Sequence, residues 1–255
     1  MSSAPRITLK VADGIAWVTL ANGANKNAMD IQFCREFAQT MVACETNPGA
    51  RVIVIQAEGD FFGVGGDIRN FVDNKHRVHE HVLDMATQIH VGILAMRRAA
   101  APVICAVNGM AAGGSFSLVC GTDVVIARRS AKFAPAFTKS GFTPDAGGTW
   151  FFPRIAGWRK AYWIMATNPV LTAEQAEQIG LVTQVVDDDK LDSTVAALAR
   201  QFADMPQGAL GGLKRLFQDS ETTPLDQHLN AEARSIAAQC ANPAILARLD
   251  AFFKK

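Results

Sequence analysis

Apolar and polar positions follow a strand period at the start of the chain and a helical period soon after it. Ile7–Val11 and Ile15–Leu20 are apolar, β-branched runs on either side of Asp13-Gly14, a pattern that predicts a β-hairpin. After Asn27, apolar residues recur at helical spacing over Phe33–Cys44. The chain is therefore expected to open with a hairpin that is followed by an amphipathic helix.

Three compact apolar runs predict buried strands, at Val52–Gln56, Val103–Val107 and Asp123–Ala127. The stretch Asp67–Arg98 separates the first two and has a largely helical pattern with a polar early part. Buried strands that are rich in β-branched residues and alternate with helices are typical of a parallel sheet that is covered by helices.

After residue 145 the pattern becomes mainly helical, interrupted by one short strand at Gly180–Val186. The helices are predicted at Trp158–Thr167, Ala173–Gln178, Leu191–Met205, Gln207–Gln218, Leu225–Ala241 and Pro243–Phe253. We divide the chain at this change of pattern into an α/β core over residues 1–190 and a helical region over residues 191–255.

Composition narrows the class of protein. Of the 255 residues, 49% are hydrophobic and 19% are charged, which supplies the apolar mass for a core and excludes a disordered chain. The net charge is +1 and the isoelectric point is near 7.7. Phosphate binding needs clustered excess lysine and arginine, so we expect no nucleic-acid partner.

The cysteines and the first residues bear on the cellular compartment. Five widely spaced cysteines with no CxxC pair argue against a disulfide framework or a zinc site. The start of the chain lacks the basic and apolar runs of a secretory signal. Residues 99–122 carry no charge, but their prolines and glycines argue against a membrane span. We expect a cytoplasmic protein with no metal site and no membrane partner.

Two of the predicted strands run into a glycine-rich turn at which a helix starts. The first turn is Gly63-Val64-Gly65-Gly66, and the second is Asn108–Ser115. Glycine lets a ligand approach the backbone, and free N–H groups at a helix start favour negative charge. Two such N–H groups could hold one oxygen that becomes anionic in a reaction. The other interpretation is that both are ordinary turns, since neither matches GxGxxG, a P-loop or a nucleophile elbow.

Asp145 is a single carboxylate in a stretch that is rich in aromatic residues. These residues are Phe133, Phe137, Phe142, Trp150, Phe151 and Phe152. A carboxylate in an apolar pocket has a raised pKa and can transfer protons near neutral pH. The other interpretation is that Asp145 caps a helix that begins at Gly147.

The histidines are given structural interpretations. His90 lies in a helical pattern among apolar residues and is interpreted as a buried structural histidine, which makes it a poor partner for a nucleophilic serine. His76, His79 and His81 lie close together but lack a cysteine or carboxylate that would complete a metal site. We interpret these three as a solvated helix face.

Five motifs carry a resemblance to a known family. They are FFGVGGDI (61–68), PVICAVNGMAAGG (102–114), DVVIARRSAKFAPAF (123–137), GFTPDAGGTWFFPRIAG (141–157) and LTAEQAEQIGLVTQVVDDDKL (171–191). Over nearly its whole length the chain resembles the enoyl-CoA hydratase/isomerase (crotonase) superfamily. Within that superfamily it most resembles the branch that contains the ring 1,2-epoxyphenylacetyl-CoA isomerase and the enoyl-CoA isomerases. The resemblance implies an α/β spiral of strand-strand-helix repeats whose C-terminal helices build homotrimers or homohexamers.

The resemblance also implies which residues meet an acyl-CoA thioester, which is the substrate and needs no separate cofactor. The thioester oxygen is expected between the N–H groups of Gly66 and Gly114, and Asp145 stands where isomerases of the family place their acid and base. The other positions expected to bind the thioester are Ala24, Lys26, Ala28, Gly63, Asp67, Ile68, Phe137 and, from a neighbouring subunit, Lys255.

Departures from the family pattern bear on the reaction. Hydratases of the family activate water with two glutamates, and the corresponding positions here hold Ser117 and Phe137, neither of which is a base at neutral pH. We therefore expect double-bond migration, or isomerisation of a ring, in an enoyl-CoA with Asp145 as acid and base. Hydration stays open, as does a non-enzymatic role in RNA binding or assembly. A third alternative is a hydrolytic or dehalogenating reaction in which Asp145 is the covalent nucleophile. It stays open because a dehalogenase of the family has an Asp at this position and a His that matches His90.

Overall fold

The computed structural model describes residues 4–253, in which ten strands and eleven α-helices alternate. The strands are β1 (Ile7–Ala12), β2 (Ile15–Leu20), β3 (Val52–Ala57), β4 (Phe61–Gly63), β5 (Val103–Val107), β6 (Met110–Ala112), β7 (Val124–Arg128), β8 (Lys132–Ala134), β9 (Leu171–Thr172) and β10 (Gln184–Val186). The helices are α1 (Ile31–Thr46), α2 (Ile68–Asp73), α3 (Val78–Arg98), α4 (Gly114–Cys120), α5 (Gly148–Ala156), α6 (Trp158–Thr167), α7 (Ala173–Gln178), α8 (Leu191–Asp204), α9 (Gln207–Ser220), α10 (Leu225–Cys240) and α11 (Pro243–Phe253).

The strands form two sheets that the chain visits in turn. The larger sheet has the order β1-β2-β3-β5-β7-β10, antiparallel only in the β1–β2 hairpin, and the smaller sheet has the order β4-β6-β8-β9. Each of β3, β5 and β7 lies in the larger sheet, and the short strand after it lies in the smaller one before the chain continues into a helix. These three strand-strand-helix turns confirm the predicted α/β spiral.

Helices cover both faces of the larger sheet. Successive side chains of a strand point to opposite sides, so each strand contributes side chains to both faces. Ile53 and Ile55 of β3 belong to the main core, which contains the apolar stripes of α1 and α3. Val52 and Val54 belong to a second core, formed with the buried side chains of α8. The sheet is buried on both sides, as the continuous apolar runs predicted.

Asn27, after which the helical pattern appears in the sequence, lies four residues before the start of helix α1 at Ile31. Asn27 is fully buried with φ 52°, and its amide group bonds the backbone of Asn22, Glu58 and Phe61. The N-cap is instead Asp30, whose side chain accepts the N–H of Phe33 at 2.7 Å. Asn27 therefore fixes the loop before the helix.

The helical half of the chain follows the prediction closely, with α6, α7 and α11 at the predicted bounds. The stretch predicted over Asp67–Arg98 divides into α2 and α3, and the strand predicted over Gly180–Val186 is shortened to β10. None of the helices within residues 4–253 combines the length and the apolar character needed to cross a bilayer.

Candidate active site

The first glycine-rich turn is held against the segment before α1. The Met29 N–H donates to the Gly65 carbonyl at 2.8 Å, and the Asp67 N–H donates to the Met29 carbonyl at 2.9 Å. These bonds form an isolated parallel bridge between Met29 and Gly66. Because Gly65 O and Asp67 N face Met29, the N–H of Gly66 between them points to the other side.

The second glycine-rich turn meets the first. Gly114 is the first residue of α4, a position where the N–H group has no partner inside the helix. Gly113 has φ 55° and ψ −128°, a backbone conformation that favours glycine, and its N–H donates to the Ala134 carbonyl at 3.1 Å. A Cβ added to Gly65 would lie 2.8 Å from the Gly114 nitrogen. The structure thus brings together the two turns whose N–H groups the sequence paired.

Asp145 lies at the same place, in the loop that leads into α5. Its Oδ1 is 3.9 Å from the position of a Cβ added to Gly114. Burial raises the pKa of the half-buried Asp145 carboxyl above its ordinary value of 3.8, and the neighbouring His90 opposes this, as does a backbone hydrogen bond. The site therefore combines a carboxylate that holds its proton more tightly than usual with two backbone N–H groups.

The alternative in which Asp145 caps the next helix is wrong. The N-cap of α5 is Gly147, and the helix begins at Gly148. Asp145 contributes its backbone carbonyl, which accepts the Gly148 N–H at 3.0 Å. Gly147 has φ 79°, a conformation that favours glycine, and no side-chain hydrogen bond caps the helix. The Asp145 carboxylate stays available for chemistry.

His90 is not the buried structural histidine that the sequence suggested, because its side chain is exposed and faces the loop of Asp145. Its Nε2 accepts the N–H of Ala146 at 3.2 Å. The buried stripe of α3 includes Met85, Ile89 and Met96, and position 90 is one residue, about 100°, away from it. The helical period alone could have indicated this.

His81 also departs from its sequence interpretation. It is buried, not part of a solvated face, and its Nε2 pairs with the Asn70 side-chain oxygen of α2. This bond joins α2 to α3 close to the first glycine-rich turn. Over residues 4–253 no cluster of histidine, cysteine and acidic side chains is suited to a metal ion.

The two positions that hold glutamates in hydratases carry no ionisable group. Ser117 is fully buried, and its hydroxyl has no hydrogen-bond partner within the described residues. A Cβ added to Gly148 would collide with the Ser117 Oγ, so the serine side chain fills the gap beside that glycine. Phe137 is 8% exposed. Neither residue offers a second base to the site.

Two segments that were predicted to contact CoA lie side by side. The Val64 N–H donates to the Lys26 carbonyl at 3.2 Å, which places Lys26 and Ala28 next to the turn that contains Gly63 and Gly66. Lys26 itself is exposed, and its Nζ lies 5.1 Å from the centre of the Phe61 ring.

The remaining predicted CoA contacts differ in exposure. Ala24 and Ile68 are exposed, Asp67 is half-buried, and Ala28 and Gly63 are buried. The Asp67 carboxylate caps α2 and also accepts from the side chain of Asn25 at 3.3 Å. Lys255 lies outside the described residues.

The aromatic residues near Asp145 divide into two groups. Phe133 and Phe152 are fully buried in the main core and cannot line a pocket. Phe142 is 44% exposed, and its ring contacts Phe71 of α2, a residue that the sequence analysis passed over. The aromatic pocket expected from the sequence stays a prediction, and of the three rings Phe133, Phe152 and Phe142 only that of Phe142 is accessible to a ligand.

The chain matches a known family over nearly its whole length. Residues 10–255 match the enoyl-CoA hydratase/isomerase family. The chain is 36% identical over 224 residues to the 1,2-epoxyphenylacetyl-CoA isomerase of Escherichia coli K12, a match that covers 87% of this chain and 85% of that protein. It is 27% identical over 250 residues to a 4-chlorobenzoyl coenzyme A dehalogenase of an Arthrobacter species, covering 98% of this chain and 91% of the dehalogenase.

The fold has equally clear counterparts among crystal structures. An enoyl-CoA hydratase from Polaromonas sp. JS666 superposes with a TM-score of 0.91 at 27% sequence identity. The superposition covers 97% of this chain and 96% of the hydratase. The likeness in fold therefore extends over nearly the whole chain.

Proposed function

Because the chain belongs to the enoyl-CoA hydratase/isomerase family, we propose that it moves a double bond in an enoyl-CoA thioester, with Asp145 as the acid and base. The family accounts for the acyl-CoA substrate. The choice of isomerisation rests on one observation, namely that Asp145 lies beside Gly114 with no second base at positions 117 and 137. No other carboxylate among residues 4–253 contributes to its pKa shift.

The geometry supports a single-base mechanism. Asp145, as the carboxylate, removes a proton from a carbon near the thioester, and the electron pair spreads into a dienolate. The negative charge on the thioester oxygen is stabilised by the Gly66 and Gly114 N–H groups, and fixed donors of this kind lower the barrier by about 3–4 kcal/mol each. Asp145 then returns the proton to the carbon at the other end of the conjugated system. One carboxylate suffices because the proton leaves and returns on one face.

The raised pKa of Asp145 suits this reaction. A carboxylate that holds its proton more tightly is a stronger base toward the weakly acidic carbon. It also releases that proton to the dienolate once the charge has formed. An ordinary exposed aspartate would be a weaker base, so the burial of Asp145 supports its role as both base and acid.

The test compares isomerisation with hydration in one preparation. We expect trans-3-hexenoyl-CoA to give 2-hexenoyl-CoA, with the double-bond position read by NMR, and crotonyl-CoA to gain water far more slowly. In D₂O the product should carry deuterium where exchange from Asp145 competes with direct return. Fast crotonyl-CoA hydration without isomerisation would show that the chain is a hydratase.

A second candidate function is supported by the position of His90. In this case Asp145 attacks a halogenated ring carbon of an aromatic acyl-CoA, the halide leaves, and water then cleaves the aryl ester at Asp145. His90 contacts the loop of Asp145, and the match to the dehalogenase relative spans nearly the whole chain. The lone pair of His90 Nε2 is however engaged by the Ala146 N–H, which leaves it no free acceptor for a water proton. Single turnover of 4-chlorobenzoyl-CoA in ¹⁸O water, with label found in the Asp145 carboxylate, would establish this function.

The chain is also proposed to assemble as a homotrimer or homohexamer. Large apolar side chains lie exposed on the C-terminal helices of a single subunit, among them Leu225, Leu229 and Ile236 of α10 and Phe217 of α9. Exposed apolar patches of this kind mark protein interfaces. Light scattering coupled to size-exclusion chromatography tests the proposal, and a monomer at micromolar concentration would contradict it.

A further inference from the structure

The ring of Phe71 lies beside Gly66, the residue that carries one of the two proposed oxyanion donors. A Cβ added to Gly66 would lie 2.9 Å from Cζ of Phe71, so the ring occupies the space that a side chain at position 66 would fill. Phe71 is half-buried on α2, the short helix that starts just after Gly66. The position of the Phe71 ring therefore depends on that of Gly66.

Several contacts hold α2 in place. The Asp67 side chain caps the helix by accepting the Asn70 N–H at 3.2 Å. The Asn70 side chain pairs with the buried His81 of α3, and the Asn74 side chain donates to the Asn70 carbonyl at 2.8 Å. Phe71 thus projects from a helix that is fixed at its start and against α3.

Phe71 also contacts the loop that carries Asp145. Its ring and that of Phe142 meet edge to face, with centroids 6.1 Å apart and an interplanar angle of 85°. Phe142 is anchored by its N–H, which donates to the Phe137 carbonyl at 3.1 Å, yet its side chain stays 44% exposed. The two rings join the element that carries Gly66 to the loop that carries Asp145.

From this arrangement we propose that Phe71 and Phe142 determine specificity and select acyl groups with a flat aromatic ring. The inference rests on the proposed function, because it places the acyl group between Gly66 and Asp145. An acyl group in that space meets the face or edge of both rings. Aromatic pairs in offset or edge-to-face geometry attract each other beyond the effect of buried area. A saturated acyl group of the same size gains only the burial.

The test measures binding of two thioesters that carry no double bond to move. Phenylacetyl-CoA and cyclohexylacetyl-CoA have acyl groups with the same carbon skeleton and differ in the aromaticity of the ring. We expect isothermal titration to give a Kd about fivefold lower for phenylacetyl-CoA, a ratio that follows from the usual strength of an aromatic pair. Phe71→Leu and Phe142→Leu should each remove most of this preference.

The controls keep the result interpretable. Trp163→Leu changes a 54% exposed ring on α6 and should leave the preference intact. Circular dichroism and the Tm verify that the variants fold, and Phe142→Leu serves if Phe71→Leu does not fold. Equal affinities for the two thioesters in the wild type, or a preference that survives both substitutions, overturns the inference alone. Failure of both thioesters to bind overturns the proposed function and the inference together.

Discussion

Oδ1 of Asp145 lies 3.9 Å from the point that a Cβ on Gly114 would occupy, so the acid and one backbone donor border the same small volume. Sδ of Met29 lies 2.9 Å from the same point, so a side chain at residue 114 would crowd this volume. A thioester oxygen at the Gly114 N–H would have its neighbouring carbons within reach of the carboxylate. The lack of a side chain at Gly114 therefore matters for the proton transfer that we propose at Asp145.

Replacement of Asp145 by asparagine should abolish most of the isomerase activity without unfolding the protein. Asparagine keeps the size of the side chain but cannot take up a proton from carbon. General base groups contribute about a hundredfold to ten-thousandfold in rate, so kcat for trans-3-hexenoyl-CoA should fall by a factor in that range. The Kd for hexanoyl-CoA should change little. Turnover close to that of the wild type would remove Asp145 from the mechanism.

The same substitution should stabilise the protein at neutral pH. Burial raises the pKa of Asp145 in the folded state above 3.8, so between these values the folded state binds more protons than the unfolded state. Stability therefore falls as pH rises through the folded pKa, and the full penalty applies above it. An asparagine side chain at this position carries no charge and avoids the penalty.

Thermal unfolding at two pH values checks this expectation. The Tm of Asp145→Asn should exceed that of the wild type at pH 7 and equal it near pH 3.5, provided that both stay folded there. Asp189→Asn is the control, since Asp189 is largely exposed and the Tm of this variant should not differ from that of the wild type at either pH. A lower Tm for Asp145→Asn at pH 7 would mean that the carboxylate stabilises the fold.

Alanine at position 114 should block catalysis by crowding and not by loss of the N–H group. The added methyl would lie 2.9 Å from Sδ of Met29, the far part of a flexible side chain that can move aside. A displacement of about 1 Å at the reacting groups costs roughly a hundredfold in rate, and we expect kcat/KM to fall by that factor. Gly49→Ala, in the exposed turn between α1 and β3, should keep full activity. Equal activity of the two variants would place the acyl group elsewhere.

The sequence predicted the long elements well but missed three of the shortest strands. Helix α7 has its predicted bounds because Thr172 and Gln175 form a capping box that marks its start. Strands β4, β6 and β9 have two or three residues each, too few for a period to appear. They form because each pairs with a neighbour in the smaller sheet. Such pairing depends on residues far apart in the chain, so no short segment of sequence predicts it.

The sequence also predicted only part of the site, because some of its residues are recognisable from local patterns and others are not. Gly66, Gly114 and Asp145 stand out because glycine-rich turns and a carboxylate among aromatic residues are local patterns. The direction of His90 depends on which side of α3 the loop of Asp145 packs, and the role of Phe71 depends on its contact with Phe142. These relations join segments far apart in the chain, so only the fold reveals them.

Ser117→Ala should leave both activity and stability nearly unchanged. The Ser117 hydroxyl is buried with no partner in the described part of the chain, so its removal breaks no hydrogen bond and relieves a desolvated polar group. If Ser117 oriented a water molecule, as the glutamate of a hydratase does, alanine would lower the rate of crotonyl-CoA hydration. Assays with trans-3-hexenoyl-CoA and crotonyl-CoA, together with the Tm, distinguish the two cases.

Lys214 holds α9 against the core. Its Nζ lies 2.8 Å from Oδ2 of Asp123 and donates to the carbonyls of Met96 at 3.0 Å and Ala101 at 3.2 Å, with only 8% of the side chain exposed. Burial lowers the pKa of Lys214, and the charge of Asp123 opposes that change. The contact joins the helix to the end of α3 and to the segment that leads into β5.

Lys214→Met should therefore lower the free energy of unfolding by about 3–5 kcal/mol, since it leaves a partly buried carboxylate without its counter-charge. Urea denaturation followed by circular dichroism gives this value. Lys190→Met is the matched control, because Lys190 pairs with Asp189 at 3.0 Å while both side chains are mostly exposed, and its midpoint should not move. Equal midpoints for the two variants would show that packing of α9, and not the ion pair, supplies the attachment.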